Sequence, residues 1–331
     1  MGSSSWSDSF YKAREVDRAK TGTSAFTYDA SVRSSGGPAK VHDKMDPKGL
    51  KMRESRDSDA HPESVPVAVW FDVTGSNASQ AIILQKKFGG LMAILLKKGY
   101  LAHPQVMFSA IGDATCDGVP LQVGQFESGL EMDDNLGMIF LESGGGGQMT
   151  ESYELAMYTM ARHTSCDAWE KRGKKGYLFM IGDEMAYSRV KKHEVEKLIG
   201  PELEADILTK DIIEELKEKW EVFFLIPVNS SHGRDPNIKN YWINLFGQNT
   251  IMLEDSAAIC ESIAMAIGLA EGAIDLDAGA EHLKEAGVGT GTVSVVSRAL
   301  SGYASATALA RPASATAGLP AAPPMTGALR L

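Results

Sequence analysis

The sequence has little cysteine and no long uninterrupted apolar run. Its three cysteines, Cys116, Cys166 and Cys260, are an odd number at wide spacing. This excludes a disulfide framework and a CxxC metal site, and it favours a reducing compartment such as the cytoplasm. The longest apolar stretch, residues 81–96, contains two lysines and two glycines, so we expect no membrane span. The first residues also lack the apolar core of a signal peptide.

The sequence also has fewer positively charged than negatively charged residues. The 331 residues include 33 Lys and Arg against 43 Asp and Glu, which gives a net charge of −10. An acidic chain is poorly suited to the phosphate backbone of a nucleic acid, so we expect no nucleic-acid partner. A Walker loop of the form GxxxxGK[ST] is missing, which excludes that mode of nucleotide binding. With 44% hydrophobic residues, the chain is long enough to build a sizeable core.

The two ends of the chain differ in composition from the middle. Residues 1–63 are polar and without apolar period, which predicts a mostly extended, partly disordered N-terminal arm. Residues 286–331 are dominated by Ala, Ser, Pro and Gly, which predicts a low-complexity tail in which only 293–300 can pack. The folded domain is therefore expected at 64–285. Four aromatic side chains could dock the arm on a partner or on the body: Trp6, Phe10, Tyr11 and Phe26.

Strand and helix patterns alternate through the middle of the chain. Short apolar runs predict strands at 65–73, 105–111, 121–126, 177–181, 222–228 and 250–253. Apolar residues at helical spacing predict helices at 78–98, 133–141, 151–163, 190–198, 207–220 and 256–271. This alternation predicts an α/β fold with a doubly wound, mostly parallel sheet and helices on both faces. The turn-rich link between the second and third strands predicts a hairpin, which adds one antiparallel edge strand.

Three polar loops occur where ligands bind in such a fold. One follows strand 65–73, one follows four glycines at 144–147, and one follows strand 177–181. Because the carboxyl ends of parallel strands share one edge of the sheet, we expect these loops to meet. They supply carboxylate and hydroxyl oxygens, the ligands that Mg²⁺ prefers. The candidate metal ligands are Asp72, Thr74, Ser76, Thr150 and Asp183, with Ser152 as the alternative to Thr150.

The pattern Asp72-x-Thr74-x-Ser76, followed by a hydroxyl-bearing loop and Asp183, resembles the metal-ion-dependent adhesion site (MIDAS) of von Willebrand factor A (vWA, integrin I-like) domains. The family pattern is Asp-x-Ser-x-Ser, then Thr, then Asp, and the resemblance covers about 65–271. Thr74 replaces a serine but keeps the hydroxyl. The middle loop departs further, because two residues separate its glycines from Thr150.

The resemblance implies a vWA/Rossmann-like fold and a binding function rather than catalysis. A Mg²⁺ or Mn²⁺ ion with few carboxylate ligands stays electrophilic, and its open position accepts an Asp or Glu of a partner protein. Intracellular members of the family often work beside AAA+ ATPases or in multiprotein assemblies. The resemblance therefore implies a metal-ion-dependent protein–protein interaction module, with an AAA+ ATPase or self-assembly as the candidate partner.

Two other functions use the same residues. The segment from Asp72 to Ser76 also looks like the Asp-Lys-Thr-Gly-Thr loop of haloacid-dehalogenase-like (HAD-like) phosphotransferases. Asp72 would then be the nucleophile, Asp183 would hold Mg²⁺, and Lys174 or Lys175 would steady the phosphate. Against this, Thr74 stands where most such phosphatases have a second Asp. The third hypothesis is a structural assembly protein with a vestigial metal site.

Each polar segment also has an ordinary structural interpretation. Ser76 or Asn77 before an apolar helix is good capping chemistry, and four glycines can be only a flexible turn. Asp113, Asp117 and Glu127, near the predicted hairpin, could form a second acidic patch or a solvated loop.

Overall fold

The computed structural model describes residues 4–49, 52–142, 144, 147–200 and 202–310. The strands in these ranges are β1 (Arg53–Ser55), β2 (Val65–Asp72), β3 (Pro104–Ile111), β4 (Leu121–Gln122), β5 (Thr150–Glu151), β6 (Thr164–Cys166), β7 (Gly176–Ile181), β8 (Met185–Ala186), β9 (Arg189–Val190), β10 (Ile207–Leu208), β11 (Trp220–Pro227) and β12 (Thr250–Leu253). The helices are α1 (Asp8–Thr21), α2 (Thr27–Ser35), α3 (Ala78–Lys97), α4 (Glu131–Gly137), α5 (Tyr153–Arg162), α6 (Asp167–Arg172), α7 (Lys192–Leu198), α8 (Thr209–Lys219), α9 (Pro236–Phe246), α10 (Ile259–Glu271), α11 (Leu276–Glu285) and α12 (Thr290–Ala310).

A six-stranded sheet with the order β12-β11-β7-β2-β3-β4 forms the centre of the molecule. Its pairs are parallel except for β3 with β4, which is antiparallel and lies at one edge. All eight residues of β2 are buried, because a central parallel strand covered on both faces needs an apolar run. The predicted fold class, including the antiparallel edge strand, is confirmed.

The alternation of side chains along β2 supplies two separate cores. Val67, Val69 and Phe71 face a core formed with α1, α3, α10, α11 and α12. Ala68 and Trp70 face the opposite core, formed with α5, α8 and α9. Successive side chains of a strand point to opposite faces of the sheet. The helices on both faces therefore hold the central strands, and with them the loops at the strand ends, in fixed positions.

The N-terminal region differs from the extended arm that its composition predicts. Residues 8–21 and 27–35 form α1 and α2, and Tyr11 is buried. The Tyr11 hydroxyl donates to the Gln85 carbonyl at 2.8 Å, and its ring meets the edge of Phe88. Arg18 pairs with the buried Asp133 at 2.8 Å. The few apolar residues of this region are too sparse to produce a sequence period. Trp6, Tyr11 and Phe26 pack against the body, whereas Phe10 is 66% exposed.

The C-terminal region is also more ordered than predicted. Helices α11 and α12 continue the body beyond residue 285, and Val293, Val296 and Leu300 are buried against the sheet-facing core. The prediction that 293–300 can pack is confirmed, and the helix extends well past it. Residues 311–331 of the predicted tail lie outside the described residues. None of the helices within the described ranges is long and apolar enough to cross a membrane.

Two adjacent glycines in α3 give a matched test of how firmly α1 is docked. A Cβ on Gly89 would lie 2.6 Å from the Tyr11 ring, whereas a Cβ on Gly90 meets nothing within 4 Å. We expect Gly90→Ala to raise the free energy of unfolding by about 0.5–1 kcal/mol, as in an ordinary helix. Gly89→Ala should lower it by about 1–3 kcal/mol, because the new methyl group displaces Tyr11. Urea unfolding measures both, and equal stabilisation by the two variants would contradict the docking.

Candidate metal centre

The carboxyl ends of β2 and β7 bring the two predicted aspartates together. Asp72 ends β2, Asp183 follows β7, and the two strands are neighbours in register at Phe71 and Ile181. Asn77 joins them, because its side-chain Nδ2 donates to Asp72 Oδ2 at 2.8 Å and to Asp183 Oδ1 at 2.5 Å. Both aspartates are only 1% exposed. The structure therefore places the first and third predicted loops at one buried position.

Thr74 turns the first loop back onto Asp72. Its backbone N and its Oγ1 each lie 2.7 Å from Asp72 Oδ1, and both donate to it. The same hydroxyl lies 3.1 Å from Glu151 Oε1. Thr74 is thus where the sequence predicts it, between the aspartate and the middle loop. The side chain of Ser76, the remaining predicted residue of this loop, lies outside the described part of the structure.

The middle loop brings the carboxyl group of Glu151 to Thr74. Thr150 and Glu151 form the short strand β5, which pairs with β8. Since successive strand side chains point to opposite sides, Glu151 reaches Thr74 and Thr150 is directed away. Ser152, the alternative ligand, is fully buried, and its Oγ accepts the backbone N–H of Ala114 at 2.9 Å. Glu151, an acid that was not among the predicted ligands, is therefore the middle-loop side chain that a hydrogen bond joins to the first loop.

Tyr153 contacts Asp72 from the buried side of the centre. Its hydroxyl donates to Asp72 Oδ2 at 3.3 Å, and its ring packs edge-on against Phe224 and Trp242. A Cβ on Gly182 would lie 1.8 Å from the Tyr153 hydroxyl oxygen. Only glycine at position 182 lets this hydroxyl approach Asp72 so closely. The sequence reveals nothing of this contact, since it depends on the packing of α5 against the sheet.

The loop after β11 contacts the centre through His232. The backbone N–H of His232 donates to Asp183 Oδ2 at 2.7 Å, and the imidazole Nε2 of His232 lies 3.8 Å from Glu184 Oε1. Within the part of the chain that the structure describes, three buried oxygens of the cluster have no hydrogen-bond partner: Asn77 Oδ1, Glu151 Oε2 and Glu184 Oε2. Buried polar atoms in native proteins nearly always have partners. Oxygen atoms of this kind are the donors that a hard divalent cation takes.

Four carboxyl groups thus lie close together: those of Asp72, Glu151 and Asp183 are buried, and that of Glu184 is partly exposed. Among the described residues, neither lysine nor arginine forms a hydrogen bond or ion pair with any of them. Burial raises the pKa of Asp72 to about 7, and the charge of Asp183 adds to this, although bonds from Thr74 act in the opposite direction. Burial and the charge of Asp72 also raise the pKa of Glu184 to about 8 and that of Glu151 to about 11. The cluster therefore needs protons or a cation at neutral pH.

The donor set is a mixture of carboxyl, hydroxyl and amide groups. In the described part of the chain, no group of three or more His, Cys, Asp and Glu side chains has the arrangement of a metal site. At this centre the Asn77 amide lies between the two aspartates and donates to both. A cation between Asp72 and Asp183 would therefore replace the amide protons of Asn77 as the group that balances their charge.

The lysines required by the phosphotransferase hypothesis lie at the wrong edge of the sheet. Lys174 and Lys175 directly precede β7, whereas Asp183 follows it. Lys174 Nζ pairs with Glu271 at 2.8 Å, and Lys175 Nζ donates to the Lys217 carbonyl at 2.6 Å. The prediction that either lysine steadies a phosphate beside Asp72 is therefore wrong.

The predicted second acidic patch is a hydrogen-bonded loop beside the centre. Asp113 is fully buried and accepts the backbone N–H and hydroxyl of Thr115, both at 2.8 Å. Its other oxygen accepts the Tyr187 hydroxyl at 2.9 Å. Asp117 accepts the backbone N–H of Asp113 at 2.7 Å. Both carboxyl oxygens of Asp113 are therefore used to shape the loop after β3.

Comparison with known proteins identifies no family for this chain. No family model matches it, and no curated protein matches. Solved structures with similar folds include a pilus adhesin, SpaC, from Lactobacillus rhamnosus GG, at 9% identity and a TM-score of 0.44, covering 66% of this chain and 31% of that one. Proximal thread matrix protein 1 from the mussel byssus has 9% identity and a TM-score of 0.41, covering 69% and 47%.

An aerotolerance-related membrane protein from Bacteroides fragilis has 14% identity and a TM-score of 0.36, covering 61% of this chain and 98% of that one. The chain thus spans about a third of the pilus adhesin and about half of the mussel protein. At these low scores and identities, the fold class rests on the sheet topology itself.

The raised pKa values predict how stability depends on pH when chelator removes divalent cations. The carboxyls of Asp72 and Glu184 titrate near pH 4 in the unfolded chain and at about 7 and about 8 in the folded one. The folded state holds the protons of these two carboxyls more tightly than the unfolded chain does. Their contribution to the free energy of unfolding is therefore complete below about pH 4 and is lost as pH rises through about 8. We expect the free energy of unfolding, measured with urea, to fall between about pH 5 and about pH 8.

Asp72→Asn should make this fall shallower, because it removes one titrating carboxyl. The surface variant Glu218→Gln, which also removes one negative charge, should keep the wild-type slope. Carboxyls with lowered pKa values do not titrate in this window. Burial raises the pKa of Asp57 and of Asp167, but hydrogen bonds from Arg172 to Asp57 and from Lys171 to Asp167 hold both pKa values below the ordinary range. A wild-type stability that is flat or rises across the window would contradict the charge arrangement.

Proposed function

We propose that the chain is a von Willebrand factor A-like protein-interaction module that binds Mg²⁺ or Mn²⁺ at the centre formed around Asp72 and Asp183. The observation that carries this proposal is the group of four carboxyls, three of them buried, which lacks a lysine or arginine partner among the described residues. A divalent ion would offset this charge. When bound, it would also act as an electrophile that takes a carboxylate from a partner protein.

Each residue of the proposed centre has a separate role. Asp72 and Asp183 carry the negative charge, and Thr74 fixes the orientation of Asp72 through two hydrogen bonds. We assign to Glu151 the middle-loop position that the sequence analysis gave to Thr150, and we keep Ser76 as the second hydroxyl of the first loop. Asn77 sets the separation of the two aspartates, since one amide group bonds to both.

The proposed partner is a protein that presents Asp or Glu. The resemblance of the Asp72-x-Thr74-x-Ser76 loop to the MIDAS pattern supports this class and suggests an AAA+ ATPase or a multiprotein assembly as its setting. We place the interaction in the cytoplasm, in keeping with the free thiols of Cys116, Cys166 and Cys260. Because both predicted lysines are held elsewhere, we do not assign phosphotransferase activity to Asp72.

Titration of Mn²⁺ into the full chain, followed by calorimetry and by the spectrum of the free ion, tests the metal site. We expect about one ion per chain for the wild type and for Glu218→Gln. Asp72→Asn should weaken binding at least about tenfold, since loss of even an outer-shell partner commonly costs that much. Mg²⁺ should compete for the same site. Wild-type traces without binding, or equal binding by Asp72→Asn, would overturn the metal assignment and leave the structural-assembly hypothesis.

A second measurement addresses the partner. The wild type, Asp72→Asn and Glu218→Gln are immobilised as full chains, and proteins retained from a cell extract are compared in Mg²⁺ and in chelator. We expect retention by the wild type and Glu218→Gln in Mg²⁺ alone. Retention that is the same in chelator and with Asp72→Asn would show that the ion does not mediate the interaction.

A further inference from the structure

Two histidines meet at the edge of the sheet opposite the Asp72–Asp183 centre. His103 directly precedes β3, and its carbonyl accepts the backbone N–H of Val65, the first residue of β2, at 2.9 Å. His61 ends a turn in which its backbone exchanges two hydrogen bonds of 3.0 Å with Ser58. The two Nδ1 atoms are 3.4 Å apart. The His103 backbone is therefore held by the central strand β2, and the His61 backbone is held by its own hydrogen-bonded turn.

The surroundings of His61 fix which of its nitrogens carries the proton. Its Nε2 lies 2.8 Å from the backbone carbonyl oxygen of Ser4. A carbonyl can only accept, so Nε2 carries the hydrogen, and neutral His61 presents the lone pair of Nδ1 to His103. Histidines that bind metals nearly always donate their other ring N–H to a carbonyl or carboxylate in this way. The arrangement is thus that of a metal-ligating histidine with its outer-shell partner in place.

The separation of the two nitrogens also suits a shared ion. Two ligands at Zn–N distances of about 2.0–2.1 Å and a tetrahedral angle lie about 3.4 Å from each other. A direct hydrogen bond between the rings is ordinarily shorter, at about 2.9–3.0 Å. No third His, Cys, Asp or Glu joins the pair within the described residues, so water would complete the coordination.

The surroundings of His103 favour its neutral imidazole over the protonated form. Burial lowers the pKa of His103, and the neighbouring His61 lowers it further, while the charges of Glu63 and Asp57 raise it without reversing the shift. Asp57 is paired with Arg172 and Lys171. His61 is 8% exposed. The neutral form of His103 is therefore favoured, and in this form one of its two ring nitrogens has a free lone pair.

We propose that His61 and His103 bind a transition-metal ion of the Zn²⁺, Ni²⁺ and Cu²⁺ class through their Nδ1 atoms. Imidazole nitrogens suit these ions, whereas carboxylate and hydroxyl oxygens suit Mg²⁺. The eight residues of β2 separate the two centres by about 25 Å at the usual rise of a strand. The histidine site is therefore independent of the proposed Mg²⁺ site in both position and ligand chemistry.

Binding of Cu²⁺ and Zn²⁺ to the full chain, with Mg²⁺ in excess, tests this site. We expect one Cu²⁺ per chain whose electron paramagnetic resonance spectrum shows coordination by two nitrogens. In Zn²⁺ calorimetry, His61→Asn and His103→Asn should each weaken binding at least about tenfold. His193→Asn, which changes a histidine on α7 whose side chain is 73% exposed, should bind as the wild type does, and so should Asp72→Asn.

A wild-type Cu²⁺ spectrum without nitrogen coordination, or Zn²⁺ affinity unchanged by both His61→Asn and His103→Asn, would overturn the proposal. Thermal unfolding in chelator checks that each variant is folded. The Cu²⁺ spectrum of the wild type shows whether nitrogen atoms bind the ion, and this result does not depend on the folding of any variant. Loss of Mn²⁺ binding in Asp72→Asn with Zn²⁺ binding intact would show that the two centres are separate.

Discussion

The buried carboxyl groups of Asp72, Asp183 and Glu151, with the partly exposed Glu184 beside them, impose the strongest constraint on this protein. Removing an ionised carboxylate from water costs several kcal/mol unless other groups replace the lost hydration. Asp72 receives donors from Thr74, Asn77 and Tyr153, and Asp183 receives donors from Asn77 and the backbone of His232. These bonds satisfy the two aspartates but supply no positive charge. A proton or a cation must complete the balance, and this requirement connects the structure to the proposed function.

The scaffold keeps this arrangement rigid without touching the charges directly. The parallel strands β2 and β7 fix the separation of the two aspartate loops, and apolar helices cover both faces of the sheet. Tyr153 packs edge-on against both Phe224 and Trp242, so its hydroxyl meets Asp72 from a fixed direction. The polar groups that orient the aspartates are therefore set by packing, while the loops that follow the strands remain at the rim of the sheet.

Strands buried on both faces could be predicted from sequence, because their apolar runs are unbroken; the convergence of Asp72 and Asp183 then follows from parallel topology. The approach of Glu151 to Thr74 could not be predicted, because it depends on which side each residue of the two-residue strand β5 faces, and that strand forms only by pairing with β8. Helix α9 was missed although Asp235 caps it and a proline opens it. The histidine pair was missed because its members lie 42 residues apart in segments without period.

A crystal structure of the full chain grown with Mn²⁺, examined for the anomalous scattering of manganese, tests the central claim most directly. The account predicts one strong peak between the carboxylates of Asp72 and Asp183, within bonding distance of both, with the Asn77 amide moved from its bridging position. No manganese peak there, with Asn77 still donating to both aspartates, would contradict it.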